Sequence, residues 1–358
     1  MTVPDLHDLL RQMAAHDASD LYLKVGRPPI LRVAGGLRPV EAPPLDAAAV
    51  TALTAPVMEE RHRREFEEAR RADIAYSAPG LGRFRVNVYV QRGTPAAVIR
   101  RVRSRIPSFE ELRLPPAVAE LALAPRGLVL VTGQTGSGKS TTLAAMVDYR
   151  NRQRPGHIVT VEDPIEFLHE DHRSLVSQRE VGTDCPSFSH ALRDALRQAP
   201  DVILIGEIRD EETAAAAVYF AETGHLVLST LHASNAGQTL ERLLHFFPPE
   251  RHAGLALQLS LTLNGVLAQR LLPRADGQGR VVAVEVLLAT PRVRELLRRG
   301  DLPGIRAAMQ SPAGVAEGLQ TFDHALYELI QSGLVDAETG LRAADSPNDL
   351  RLRLKGLR

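Results

Sequence analysis

Gly133-Gln134-Thr135-Gly136-Ser137-Gly138-Lys139-Ser140 fits the pattern G-x-x-x-x-G-K-[ST], and its surroundings give the pattern meaning. The apolar run Leu128-Val129-Leu130-Val131 precedes it, and Thr141-Thr142-Leu143-Ala144-Ala145-Met146 opens a helical pattern after it. A strand that delivers the chain, glycines that let backbone N–H groups curl inward and a helix N-terminus together cradle a phosphate. Lys139 would reach the β- and γ-phosphates, and Ser140 would hold Mg²⁺. The expected ligand is ATP with Mg²⁺, bound by Gly133, Gln134, Thr135, Gly136, Ser137, Gly138, Lys139, Ser140 and Thr141.

Composition narrows what surrounds that loop. A length of 358 residues leads to an expectation of two or three domains, and 44% hydrophobic against 24% charged residues is ordinary for a globular protein. Forty-three basic residues balance forty-three acidic ones, so the chain lacks the net positive field of a nucleic-acid tracker. Cys185 is the only cysteine, which excludes an intrachain disulfide and a cysteine-based zinc site. No run of eighteen apolar residues occurs, and Asp5 and Asp8 stand where a secretory leader would be basic. A cytoplasmic protein that docks peripherally on a membrane assembly is expected.

The first hundred residues read as a small α+β unit. Leu6, Leu9, Leu10 and Met13 share one helical face. Short β-type runs follow at Leu21–Val25 and Ile30–Val33, then a helical stretch over 46–72, then a β pair at 82–90 and 96–100. The run Glu59–Glu65 mixes both signs, as a solvated helix face does. Prolines at 107, 115 and 116 suggest a connection. From about 117 strands and helices alternate, with strands at 128–132, 157–162, 202–206 and 226–231 and a helix at 187–199. That order predicts a parallel sheet with helices packed on it. A hairpin is expected at 266–288. The domain boundaries are therefore 1–103, a linker at 104–116, an ATPase domain at 117–346 with a helical C-terminal part, and a flexible tail at 347–358.

Three further stretches carry chemistry. In Asp201-Val202-Ile203-Leu204-Ile205-Gly206-Glu207, four consecutive apolar residues fit a central parallel strand. Ligands bind beyond the carboxyl ends of such strands, where Glu207 would emerge to hold Mg²⁺ through water or to polarise the attacking water. In His157–Phe167 another apolar strand delivers Glu162, Asp163 and Glu166. Hydrolysis needs a group that orients and deprotonates water, and Glu162 is assigned that role with the other two in support. The third stretch, Thr223–His232, ends in a histidine on a strand that would lie beside the phosphate-loop strand. The imidazole of His232 would donate to the γ-phosphate.

These four elements, in this order and spacing, resemble the secretion-ATPase superfamily, and within it the pilus-retraction branch, the PilT/PilU family, with the PilU side the nearer. Gly133–Ser140 resembles its Walker A motif, Glu162-Asp163-Pro164 its Asp box, Ile205-Gly206-Glu207 its Walker B motif and Gly224–His232 its His box. Supporting stretches include Ser19–Leu23, Gln178–Gly182, Arg197–Asp201 and Gly318–Asp323. The resemblance implies an α/β chain: a RecA-like P-loop NTPase domain preceded by a smaller α+β domain of PAS-like fold. It also implies a hexameric homo-oligomer with nucleotide between subunits, and arginines of the first domain that reach the nucleotide; Arg85 and Arg100 match that pair by position. An inner-membrane pilus platform protein and a second PilT-type motor are the partners it implies, and nucleic acid is not among them.

On this reading the chain is an ATPase that powers pilus retraction and twitching motility through domain movements. The helix at Pro291–Leu297 departs from the Ala-Ile-Arg segment typical of PilT, which bears on whether it retracts pili alone. A pilus-assembly or type II secretion ATPase is the nearest alternative, although a single cysteine cannot build the four-cysteine module frequent there. A nucleic-acid translocase is disfavoured by balanced charge and the lack of Trp. Intact Lys139, Glu162 and Glu207 disfavour a passive nucleotide-binding subunit.

Overall fold

The computed structural model describes residues 3–102 and 105–356. The expected boundary at 103/104, the first two residues and the last two, Arg358 included, lie outside the described residues. The chain falls into two compact units, Met1–Arg105 with Glu166–Leu168, and Ile106–Ile165 with His169–Arg358.

The smaller unit is an antiparallel sheet with helices. Its strands are β1 (Asp20–Lys24), β2 (Ile30–Val33), β3 (Gly36–Pro39), β4 (Arg71–Ala78), β5 (Gly82–Gln91) and β6 (Thr94–Arg101), in the order β3-β2-β1-β6-β5-β4. Phe84, Val86 and Val88 alternate inward from β5 and meet Leu9, Leu10 and Met13 of the helix Leu6–Ala15 in one core. The helix expected over 46–72 is broken. It becomes Ala47–Thr54, a 3₁₀ turn at Ala55–Val57 and Glu60–Ala69, after which Arg70 turns left-handed (φ 57°) and releases the chain into β4. Pro56 accounts for the first break, since its ring cannot continue the hydrogen-bond ladder. In the Glu60–Ala69 helix only His62 is buried, as a solvated face requires.

The larger unit is built on a seven-stranded sheet. Its strands are β7 (Gly127–Gly133), β8 (Gly156–Glu162), β9 (Ser174–Glu180), β10 (Val202–Ile205), β11 (Leu226–Leu231), β12 (Leu263–Pro273) and β13 (Arg280–Leu288), ordered β13-β12-β7-β11-β10-β8-β9. All neighbours run parallel except the β12–β13 hairpin. Every residue of β7, β10 and β11 is buried, because helices cover both faces.

The faces sort by alternation. Leu128, Leu130, Ile203 and Ile205 join a core with the helices Phe188–Ala195 and Glu211–Glu222. Val129, Val131, Val202 and Leu204 join another with Leu143, Met146 and Val147 of the helix Lys139–Gln153. The only cysteine, Cys185, lies in the first of these cores at 5% exposure, and burial pushes its thiol pKa up.

Two expectations change. From Ile106 the supposed connection belongs to the larger unit: Ser108 and Glu111 form a capping box, and Phe109 packs its ring 4.8 Å from that of Tyr149. The supposed flexible tail is helical over Pro347–Leu354. Leu350 is 1% exposed there, in a core with Phe322 and Leu326, so burial of an apolar side chain orders a stretch that reads as polar and basic. The stretch at Pro291–Leu297 lies in the helix Pro291–Arg298, which buries Val293 and Leu297 while Arg294 donates to the Ser260 carbonyl at 2.8 Å. Among the described residues no helix is long and apolar enough to cross a membrane.

Candidate active site

The carboxyl ends of β7, β8, β10 and β11 lie along one edge of the sheet, and each delivers one group that the sequence singled out. The loop after β7 turns at Gly136 (φ 80°) and Gly138 (φ 95°), and Gly138 is the cap from which the helix Lys139–Gln153 starts. Gly133 (φ 148°) tolerates no side chain: a Cβ there would meet Ser137 Oγ and would stand 2.5 Å from the Gln269 carbonyl. Close approach of backbone to backbone, rather than flexibility, fixes that glycine. Lys139 is 9% exposed, and its ammonium donates to the carbonyls of Gly133 at 2.9 Å and Gln134 at 3.2 Å.

Next to β7 stands β11, as expected, and His232 follows it. Its Nε2 lies 3.1 Å from Glu207 Oε1 at the end of β10. Burial, with Lys139 next in weight, holds the imidazole pKa below its ordinary value, and Glu207 pulls the other way. The ring is thus neutral at neutral pH and keeps an N–H to donate. Glu207 Oε2 accepts from Arg209 Nε at 2.8 Å, and the same guanidinium reaches Asp163 Oδ2 at 3.3 Å. Glu162 Oε1 accepts from Thr160 Oγ1 at 2.7 Å and from Gln178 Nε2 at 3.3 Å. A Cβ on Gly206 would stand 3.3 Å from Glu162 Cα, so the strand ends carrying the two acids are tightly apposed.

The edge therefore gathers Lys139, His232, Glu207, Asp163 and Glu162. Arg209 and Gln178 join them and were not assigned roles from the sequence. A basic residue two places after a strand-end acid was the available signal for Arg209. Arg85 and Arg100 belong to the smaller unit, where they face each other as register partners across β5 and β6. Arg100 Nε donates to the buried Asp20 at 2.8 Å, while Arg85 is exposed. Glu166 is also exposed.

The donor set suits a phosphate–magnesium complex. Ser137 Oγ is buried and has no hydrogen-bond partner among the described residues, although it sits inside the phosphate loop. Ser140 and Glu207 offer hard oxygen ligands, the kind Mg²⁺ takes while leaving most positions to water and phosphate. Among the described residues no cluster of three or more His, Cys, Asp or Glu side chains could hold a metal unaided.

Just beyond His232 the chain is pinned by a buried acid. Glu285 on β13 accepts the N–H of Ala236, the first residue of the helix Ala236–His245, at 2.6 Å. Burial pushes its pKa up to about 7, helped by Asp345 and opposed by Arg270. Between its unfolded value and about 7 the folded protein binds more protons than the unfolded one, so this group makes stability fall as pH rises through that window. Glu285→Gln keeps the acceptor and removes the slope. We expect it to stabilise the protein at pH 8 by up to about 3 kcal/mol. Denaturant titrations at pH 5 and pH 8 would reveal this as a loss of the pH difference.

The family model described as "Type II/IV secretion system protein" matches residues 2–323. The chain is 48% identical to the type IV pilus ATPase PilU of Pseudomonas aeruginosa, over 98% of this chain and 91% of that protein. It is 44% identical to the type IV pilus retraction ATPase PilT of the same organism, over 96% of this chain and 99% of that one. A crystal structure of the pilus retraction motor PilT with bound ADP is 41% identical and superposes with a TM-score of 0.90, covering 97% of this chain and 99% of that one.

Proposed function

The chain belongs to the type II/IV secretion system protein family, and from that premise we propose that it is an ATP-hydrolysing motor of the type IV pilus that powers retraction. The observation that carries this reading is the line of groups Lys139, His232, Glu207, Arg209 and Asp163 along one sheet edge, with Glu162 beside it. Full-length similarity to PilU and PilT supplies the pilus.

ATP would sit with its β-phosphate in the loop Gly133–Ser140 and its γ-phosphate facing His232 and Glu207. Lys139 leaves its carbonyl partners for the phosphates, and His232 donates its N–H to a γ-phosphate oxygen. Ser140 and Glu207 would hold Mg²⁺, Glu207 through water, and the ion would supply positive charge to offset that of the phosphates. Glu162 takes the proton of a water whose oxygen bonds to the γ-phosphorus. The bond from that phosphorus to the β,γ-bridging oxygen breaks, and ADP and phosphate leave. Arg209 spaces the acids: it neutralises Glu207 and Asp163, so two carboxylates and a triphosphate do not meet uncompensated.

The working assembly is a homo-hexamer in which Arg85 and Arg100 of the smaller unit reach toward nucleotide. Loss of the γ-phosphate shifts the two units relative to one another, and successive steps around the ring turn a platform protein in the inner membrane. A second PilT-type motor is a further partner of this kind of machine.

Purified protein should release phosphate from Mg-ATP and elute as a ring-sized particle. In the source strain, deletion should leave excess surface pili. Pili that disappear instead would make it an assembly motor, and protein that neither binds nor splits ATP would remove the motor reading.

A further inference from the structure

β9 is the edge strand beyond β8, and Leu175 and Val176 are its only apolar residues. Its polar end, Gln178–Glu180, takes no part in the chemistry above, yet it lies against the glutamate that β8 delivers. Thr160 stands opposite Gln178 in the register, and Glu162 opposite Glu180. Residues two apart on a strand share a face, so these four side chains lie together.

Three contacts say what this face does. Thr160 Oγ1 and Gln178 Nε2 both donate to Oε1 of Glu162, at 2.7 and 3.3 Å. Gln178 Oε1 accepts the backbone N–H of His169 at 2.9 Å. That third contact fixes which way the amide faces. Turned over, it would set its NH₂ against the His169 N–H and its oxygen against the Glu162 carboxylate. The NH₂ therefore belongs to Glu162. Two places on, the buried Glu180 accepts the N–H of Ile165 through Oε2 at 3.2 Å. Alternate residues of β9 thus pin the loop that follows Glu162 at both Ile165 and His169.

A glutamate side chain turns about three bonds, and ordering it costs up to about 2 kcal/mol. A base that wanders misses the water it must deprotonate, and a misplacement of about 1 Å costs about 10²-fold in rate. Hydrogen bonds to an ionised carboxylate are charge-assisted, and two on one oxygen hold both its place and its rotation. Thr160 is fully buried, so its hydroxyl has no water to turn to instead.

We propose that Gln178 is a positioning residue for the hydrolytic base: with Thr160 it holds the Glu162 carboxylate where it takes a proton from water. The inference rests on the reading of Glu162 as that base. Gln178 acts through Glu162 rather than on the nucleotide, and the edge strand so gains a share in turnover.

Two substitutions separate this role from simple anchoring of the loop. Gln178→Met removes both contacts of the amide. Gln178→Glu keeps an oxygen for the His169 N–H but sets a second carboxylate, in place of the donor, against Glu162. In steady-state phosphate release by the full chain, either variant should lose about 10–100-fold in kcat with KM for ATP within about twofold of the parent. A thermal melt checks each fold, and if Gln178→Met does not fold, Gln178→Glu carries the same measurements. In a Glu162→Gln background, read by single turnover, the second substitution should cost less than about twofold more, because the group it positions no longer acts as a base.

Parental turnover in Gln178→Glu, losses that multiply in the double variant, or a change confined to KM would overturn the positioning role and leave Glu162 as the base. Parental turnover in Glu162→Gln would remove the base and this inference together. A parent chain that does not split ATP would remove the ATPase reading itself.

Discussion

Lys139→Ala should lower steady-state ATP turnover by about 10²–10³-fold, the usual loss when one preorganised donor to transition-state charge is removed. Lys139 is 9% exposed and its ammonium donates to the Gly133 and Gln134 carbonyls, so the charge is held against the loop and largely out of water. Alanine removes the charge that follows the γ-phosphate as it leaves. It also takes away a cation that depresses the His232 pKa, so that histidine would titrate closer to its ordinary range. Phosphate release measured across pH 6 to 8 checks both effects, with a thermal melt to show that the fold survives. Turnover within a few-fold of the parent would mean that the loop is not where phosphate is cleaved.

Glu162→Gln should cost about 10²–10⁴-fold in turnover while leaving ATP binding near the parental level. The amide keeps an oxygen to accept from Thr160 and Gln178, at 2.7 and 3.3 Å in the parent, so the side chain stays in place and only its basicity is lost. A single-turnover assay with bound ATP isolates that step from binding and release. Glu207→Gln is the informative companion, because Glu207 is engaged by both Arg209 and His232. If Glu162→Gln hydrolysed at the parental rate and Glu207→Gln did not, the base would have to be reassigned to Glu207.

The central strands were readable in the chain because burial on both faces turns a parallel strand into an unbroken apolar run. Leu128–Val131, Val202–Ile205 and Leu226–Leu228 are such runs, buried along their whole length. Edges behave differently. β9, Ser174–Glu180, pairs with β8 alone, needs few apolar residues and was missed. β3 is exposed along its whole length and gives no alternation to find. β4 was hidden because the helical pattern before it runs on until Arg70 turns left-handed.

Contacts far apart in sequence were equally hidden. Arg209 meets Asp163 from 46 residues away, and Glu285 meets Ala236 across 49. No local period encodes such pairs; they exist only once the sheet brings strand ends and hairpin together. The C-terminal helix is obscured for a related reason, since of Leu350, Leu352 and Leu354, set among charged residues, only Leu350 is buried, and its partner Phe322 lies on another helix.

A lone sulfhydryl sealed inside the sheet's flank leaves the whole exterior open to site-directed spectroscopy. Maleimide dyes or spin labels placed at engineered cysteines, one on each unit, would meet no competing reactive thiol, because Cys185 is both shielded and hard to deprotonate. Whether the distance between two such labels changes during turnover could be read in the otherwise native polypeptide, with no background substitution to defend.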